Sequence, residues 1–151
     1  FNWLGPHLQA AKCLDLFAGS GALGIEALSR GAAHCDFVDA DQEAVTTVVH
    51  HLNTLDATEC STVSCDMAEH YLRRTSDTWD IVFIDPPFAA RLGESTLIRL
   101  AHDARLTKAS RVYFETSRSQ PEPVPEELYN LLREKTTGDV CYRLLSPRYN
   151  S

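Results

Sequence analysis

Three glycines stand at a G-x-G-x-x-G spacing in Asp15-Leu16-Phe17-Ala18-Gly19-Ser20-Gly21-Ala22-Leu23-Gly24, where an apolar run gives way to a helical pattern. Glycines in such a place let the backbone turn sharply and approach a ligand, which then meets the N–H groups of the helix start. The spacing alone is a weak signal. Asp39 strengthens it, because it closes the next β-rich run twenty residues after Gly19 and can accept hydrogen bonds from a ribose diol. Loop and acid together point to an adenosine-containing cofactor, against the plainer reading of a structural turn. Phe17, Ala18, Ser20 and Ala40 complete the candidate cradle; Ser20 lacks the G-x-S-x-G surroundings of a hydrolase nucleophile.

Asp15 bears on which cofactor this is. A dinucleotide brings an anionic pyrophosphate, which a carboxylate one turn ahead of the glycines would repel. S-adenosylmethionine brings a sulfonium and an ammonium, which Asp15 can stabilise directly or through water while the helix N-terminus receives the cofactor's carboxylate. The competing reading has Asp15 capping the loop's own N–H groups. Asp66 ends the third β-rich run, where open α/β sheets gather ligand contacts. It can accept from an adenine amine, with the Met67 N–H serving the ring, or it can cap the helix that follows.

The most specific motif is Asp85-Pro86-Pro87-Phe88, which closes the strongest apolar run. It resembles the signature of amino-methyltransferases: a small polar residue, two prolines and an aromatic after the fourth strand. That resemblance has a physical rationale. An exocyclic base amine is a poor nucleophile because its lone pair is delocalised into the ring. The Asp85 carboxylate and the Pro86 carbonyl could hold both N–H bonds and turn the lone pair toward a methyl sulfonium, which is positioning and electrostatics. The prolines fix the backbone, and Phe88 offers a stacking face worth about 1–3 kcal/mol. A base in a helix would have to be flipped out to reach it. A plain strand-ending turn with a core aromatic is the alternative.

A longer resemblance covers nearly the whole chain. Phe1-Asn2-Trp3-Leu4, the run from Asp15 to Ala32, Asp39-Ala40-Asp41, Phe83-Ile84-Asp85-Pro86-Pro87-Phe88 and Val140-Cys141-Tyr142-Arg143 are similar to the RsmD family, bacterial enzymes that methylate N2 of a guanine in 16S ribosomal RNA. The resemblance implies Asp85, Pro86, Pro87 and Phe88 as the catalytic set. It implies Asp15, Gly19, Gly21, Asp39, Asp66 and Met67 as cofactor ligands, S-adenosylmethionine as cofactor and no metal. The implied partner is 16S rRNA in an assembled or assembling small subunit, met by a monomer. The family's basic N-terminal segment has no counterpart here, and Phe1-Asn2-Trp3-Leu4 reads as the tail of an amphipathic helix already under way. A truncated single methyltransferase domain over residues 1–151 is therefore expected. Arg73, Arg74, Arg91 and Arg118 are the remaining candidates for phosphate contact, the first two also reading as a solvated helix face.

These residues need a scaffold, and β-rich runs alternating with helical patterns supply one. Strands are predicted at Lys12–Phe17, His34–Asp39, Ser61–Cys65, Asp80–Asp85 and Arg111–Glu115. Helices are predicted at Ala22–Ser29, Gln42–Leu55, Met67–Arg74 and Glu94–Ala104. The stretch from Ser119 to Pro125 reads as a mobile connection. Tyr129–Thr136 and Val140–Ser146 flank Thr137-Gly138-Asp139, which favours an antiparallel hairpin, although 126–134 also fits a helix. The fold class expected is α/β: a Rossmann-like class I S-adenosylmethionine-dependent methyltransferase, with a mostly parallel seven-stranded sheet, helices on both faces and a C-terminal antiparallel hairpin.

With 44% hydrophobic and 23% charged residues, the composition is that of a globular protein, and no apolar run is long enough for a bilayer. The five cysteines read as buried free thiols without a zinc-ligand spacing, as suits the cytoplasm. A formal charge of −7 argues against broad capture of nucleic acid by the chain as it stands. Three rivals follow: an NAD-dependent oxidoreductase, which leaves the Asp-Pro-Pro-Phe motif unexplained; an N-methyltransferase acting on adenine N6, cytosine N4 or a protein glutamine; and a non-catalytic RNA-binding module.

Overall fold

Seven strands form one sheet: β1 (Lys12–Asp15), β2 (His34–Asp39), β3 (Ser61–Cys65), β4 (Trp79–Ile84), β5 (Leu106–Ser117), β6 (Tyr129–Thr137) and β7 (Val140–Pro147). Their order is β3-β2-β1-β4-β5-β7-β6 in the computed structural model, which describes residues 2–103 and 106–148. The first five pair in parallel, and β7 runs antiparallel to both β5 and β6. Among the described residues five α-helices accompany them: α1 (Gly5–Leu8), α2 (Ala22–Ser29), α3 (Gln42–Thr54), α4 (Ala68–Arg74) and α5 (Gly93–His102).

The apolar runs are continuous because a parallel sheet is covered on both faces, so successive residues enter different cores. Leu14, Val82 and Phe114 join Leu72 of α4 and Leu97 and Leu100 of α5 in one cluster. Cys13, Ile81, Phe83 and Tyr113 join Leu8 of α1, Ala27 of α2 and Val48 and Leu52 of α3 in the other. Trp79, fully buried, opens β4, and its indole N–H donates to Asp36 at 2.9 Å, which satisfies a polar side chain inside the sheet.

Most predicted boundaries hold within a residue or two, and three differ for physical reasons. β5 extends well beyond Arg111–Glu115, because Leu106 pairs with Trp79 at one end and Ser117 with Val140 at the other. The alternative helix over 126–134 is replaced by β6, held by its ladder to β7 and by Tyr129, whose buried hydroxyl donates to the Leu97 carbonyl at 2.6 Å. Asn2–Leu4 is a short 3-10 turn leading into α1, so the supposed helix tail continues to Leu8; Pro6 sits in the first turn, where its missing N–H costs nothing. Gly138, at φ 60°, makes the turn between β6 and β7. Cys13, Cys35 and Cys141 are buried, whereas Cys60 is half-buried and Cys65 exposed, which corrects the expectation of five buried thiols. Burial first, then Asp80 and Asp15, pushes the Cys13 thiol up to about 12. Phe1 and Ala104, the latter the end of a predicted helix, lie outside the described residues.

Gly24 sets how closely α2 lies on β2. A Cβ there would stand 2.4 Å from Phe37 Cε1 and 2.8 Å from Cys35 Sγ. Gly24→Ala is therefore expected to destabilise the protein by about 1–3 kcal/mol through overpacking, lowering the melting temperature by several degrees in a thermal scan. An unchanged melting temperature would contradict that packing.

Candidate active site

β1 and β4 are parallel neighbours, so the segments leaving their C-terminal ends emerge at one edge of the sheet. The Leu16 N–H donates to the Phe83 carbonyl at 3.2 Å, tying the start of the glycine loop to the residues just before Asp85. A cavity of about 430 Å³ opens there, within the size range of small-molecule sites. Phe17, Ala18, Gly19, Ser20, Asp39, Ala40, Asp66, Met67, Asp85 and Pro87 line it, brought together from the ends of β1, β2, β3 and β4. Asp15, Gly21 and Pro86 are not among its described lining residues. The backbone at Phe88 starts a 3-10 turn, Phe88–Ala90, but the Phe88 side chain lies outside the described residues, and so does its predicted stacking role.

The glycine loop is locked from below and from the side. Gly19 (φ 57°) and Gly21 (φ 85°) take left-handed conformations, and the Gly21 N–H closes a turn on the Ala18 carbonyl at 2.7 Å. Asp39 accepts from the Gly19 N–H at 2.8 Å through one oxygen and from the Asp41 N–H at 2.9 Å through the other. Each oxygen keeps a lone pair, so the carboxylate is fixed in place while lining the cavity. His51 of α3 is half-buried with Nδ1 3.0 Å from the Ser20 carbonyl.

Asp15 sits beneath the loop with 1% of its surface exposed. One carboxyl oxygen accepts from the Gly24 N–H at 3.1 Å, as the capping reading anticipates, and the other is buried without a protein partner. Burial pushes its pKa up to about 7; the Gly24 N–H offsets part of this, and Asp39 and Glu115 add to it. A buried carboxyl with one unsatisfied oxygen behind the loop suits an ammonium reached through water, more than direct contact inside the cavity.

Asp66 is less available than its position suggested. One of its oxygens accepts from the Met67 N–H at 2.8 Å, so that N–H is paired with a side chain. Arg74 donates to the other oxygen at 2.8 Å, and His70 Nδ1 lies 2.8 Å from the first. Burial alone would raise its carboxyl, but Arg74, His70 and the Met67 N–H together hold it below the usual carboxylate range. The helix-capping alternative is also displaced, because α4 begins one residue later with Met67 at its cap. Met67 itself is 66% exposed beside the cavity.

Asp85 is half-buried at the cavity wall. Its pKa rises to about 7, first through burial, then through the charge of Glu115 and a hydrogen bond with it, and last through Asp15. Tyr113 donates its hydroxyl to Glu115 at 3.0 Å. Glu115 belonged to no predicted site, although an acid at a C-terminal strand end in an open α/β sheet is a signal that could have found it. Leu92 and Thr96, at the start of α5, also line the cavity, and no motif announced them.

The segment after Phe88 ends at Arg91, whose φ of 51° is unusual for a side chain with a Cβ. Arg91 donates to the Gln120 carbonyl at 3.4 Å. The buried carboxylate of Glu122 accepts from the Gly93 N–H at 2.9 and 3.1 Å and from the Glu94 N–H at 3.3 Å, capping α5. The predicted mobile connection from Ser119 to Pro125 is thus pinned at its centre. Of the arginines proposed for phosphate contact, Arg74 is engaged with Asp66 and Arg73 lies 3.9 Å from Glu69, while Arg118 donates to the Gly138 carbonyl at 3.5 Å.

The family model described as "Conserved hypothetical protein 95" matches residues 1–146. The chain is 38% identical over 150 residues to "Ribosomal RNA small subunit methyltransferase D" of Haemophilus influenzae, covering 95% of this chain and 76% of that protein. It is 39% identical over 144 residues to the protein of the same name from Escherichia coli K12, covering 95% of this chain and 72% of that one. Among solved structures it is similar to the Escherichia coli protein yhhF, with a TM-score of 0.89, 39% identity and 97% and 82% of the two chains covered. The chain belongs to the RsmD family, that of the "Conserved hypothetical protein 95" model, and is a methyltransferase.

Proposed function

We propose that this methyltransferase transfers a methyl group from S-adenosylmethionine to the exocyclic N2 of a guanine in small-subunit ribosomal RNA. It acts as a monomer in the cytoplasm, on RNA within an assembled or assembling subunit. The observation that carries the reading is the single cavity lined by both the glycine loop and Asp85. The names of the Haemophilus influenzae and Escherichia coli relatives support the class of RNA. Family and fold class imply S-adenosylmethionine generally, and the residues present suit it. Asp39 would hold the ribose diol, the loop N–H groups the cofactor's carboxylate, and Asp15 its ammonium through water. The bound cofactor supplies an electrophilic methyl group.

The chain's own residues prepare the amine. Asp85 and the Pro86 carbonyl accept its two N–H bonds and direct the lone pair out of the ring plane, while the two prolines hold that carbonyl in place. Asp85 takes the proton that the methylated amine must lose. Incubating the protein with isolated small ribosomal subunits and labelled S-adenosylmethionine, followed by nucleoside analysis, is expected to yield N2-methylguanosine. Label in N6-methyladenosine, or in protein alone, would overturn the assignment.

Asp39→Ala is expected to weaken S-adenosylhomocysteine binding by about 10- to 100-fold in calorimetry, since hydrogen bonds to a charged group contribute about 1.5–3 kcal/mol. Affinity within twofold of the unsubstituted protein would remove Asp39 from the cradle.

A further inference from the structure

We propose that Glu115 is a positioning residue for the methyl transfer, sharing one proton with Asp85 and receiving that proton when Asp85 takes another from the substrate amine. The inference rests on the proposed transfer to an amine, but it concerns a residue that neither the motif nor the relatives single out.

The sheet register brings the two acids together. Phe83 of β4 pairs with Tyr113 of β5 and Ile84 with Phe114, so the next residues in register are Asp85, just past the end of β4, and Glu115, still within β5. Side chains two residues apart share a face, which puts Tyr113 and Glu115 on the face of Phe83 and Asp85. Glu115 is the register neighbour of Asp85 and raises its carboxyl, and it accepts from the Tyr113 hydroxyl at 3.0 Å. Tyr113 is itself held between Phe83, with ring centroids 5.9 Å apart, and Tyr142 of β7, at 6.3 Å. Two neighbouring half-buried carboxyls on one face of the sheet cannot both be ionised cheaply, so one proton is retained between them. The titratable groups acting on Asp85 are Glu115 and, more weakly, Asp15; Tyr113 and Tyr142 stand behind Glu115.

The proton balance follows. When the amine's lone pair forms the new N–C bond, nitrogen becomes positive and must lose one N–H proton. Asp85 accepts it as the shared proton moves fully onto Glu115, and the pair goes from one proton to two. Release of one proton to water resets the pair. In this arrangement Glu115 keeps Asp85 an acceptor before transfer; the raised midpoint belongs to the proton the pair already holds, and the second proton, given up by the strongly acidic methylated amine, is held more weakly and is soon released.

Two variants with opposite expected signs test the pair in the protein bound to S-adenosylhomocysteine, read by 13C NMR titration of carboxyl carbons, with Asp85→Asn used for assignment. Glu115→Gln removes the neighbouring charge, so the Asp85 midpoint is expected to fall by at least one unit from its raised value near 7. Tyr113→Phe removes a donor to the Glu115 anion, so the pair's midpoint is expected to rise. Misfolding or general loosening would move both midpoints toward the ordinary carboxylate value, and together with unchanged midpoints that result overturns the proposal. The pH profile of single-turnover methyl transfer should have an inflection at the NMR midpoint that moves with it in each variant. The plateau in Glu115→Gln should drop about tenfold, which is small beside the 10²–10⁴ of a full general base because Asp85 remains. If no RNA is methylated by any form of the protein, the proposed function fails, while the titrations still decide whether the pair exists.

Discussion

Replacing Asp85 by alanine is expected to slow methyl transfer by about 10²–10³-fold while leaving the affinity for S-adenosylhomocysteine within about tenfold. Asp85 lines the same cavity as the glycine loop, so its loss would remove the acceptor proposed for the amine and leave the Gly19–Asp39 hydrogen bond in place. A preorganised hydrogen-bonding partner lost from a charge-developing site costs about 2.7–4 kcal/mol of transition-state stabilisation. The Pro86 carbonyl remains, which is why some activity should persist. Because the acceptor matters in the transition state more than in the ground state, the loss should appear in the single-turnover rate with little change in RNA binding. An Asp85→Ala protein with undiminished turnover would contradict the role given to the Asp-Pro-Pro-Phe loop.

Asp15 gives the second large effect, in stability and with a definite sign. Burial raises its carboxyl from 3.8 to about 7 in the folded protein. A raised acid favours the folded state only while protonated, so its relative contribution is greatest below the unfolded value and is lost as pH climbs toward 7. At one unit for 1.36 kcal/mol, the ionised side chain costs up to about 4 kcal/mol at pH 8 and under about 2 kcal/mol at pH 5. Asn has the same shape, can still accept from the Gly24 N–H and carries no charge. Asp15→Asn is therefore expected to raise the melting temperature of the ligand-free protein by about ten degrees at pH 8, a gap that narrows toward pH 5. The same substitution should weaken S-adenosylhomocysteine binding, since the oxygen without a protein partner loses its charge. A gap that does not change with pH would show that Asp15 is not the titrating group. Together the two measurements identify Asp15 as a residue whose destabilising burial serves the ligand.

How far the sequence disclosed these features depends on whether the information is local. The glycine loop, Asp39 and the Asp-Pro-Pro-Phe turn were legible because each is a short run whose backbone requirement is written in residue types. The parallel core was legible because continuous apolar runs imply burial on both faces. The Asp66 network was not, since Arg74 and His70 reach it only once α4 has wound them onto its side. The pinned Pro-containing connection was not either, because Glu122 finds the start of α5 across 29 residues. Glu115 shows the same limit: its partner Asp85 is set by the β4–β5 register, which no local pattern encodes. The extra length of β5 also came from pairing, with Trp79 at its start and Val140 at its end.

Methyl transfer here requires the glycine loop and the Asp-Pro-Pro-Phe loop to share one ligand. A crystal structure of the protein with S-adenosylhomocysteine tests this directly. The ribose is expected at Asp39, the amino-acid end over the glycine loop near Asp15, and the sulfur facing Asp85 and the Pro86 carbonyl. An adenosine bound elsewhere, or a sulfur turned away from Asp85, would contradict it.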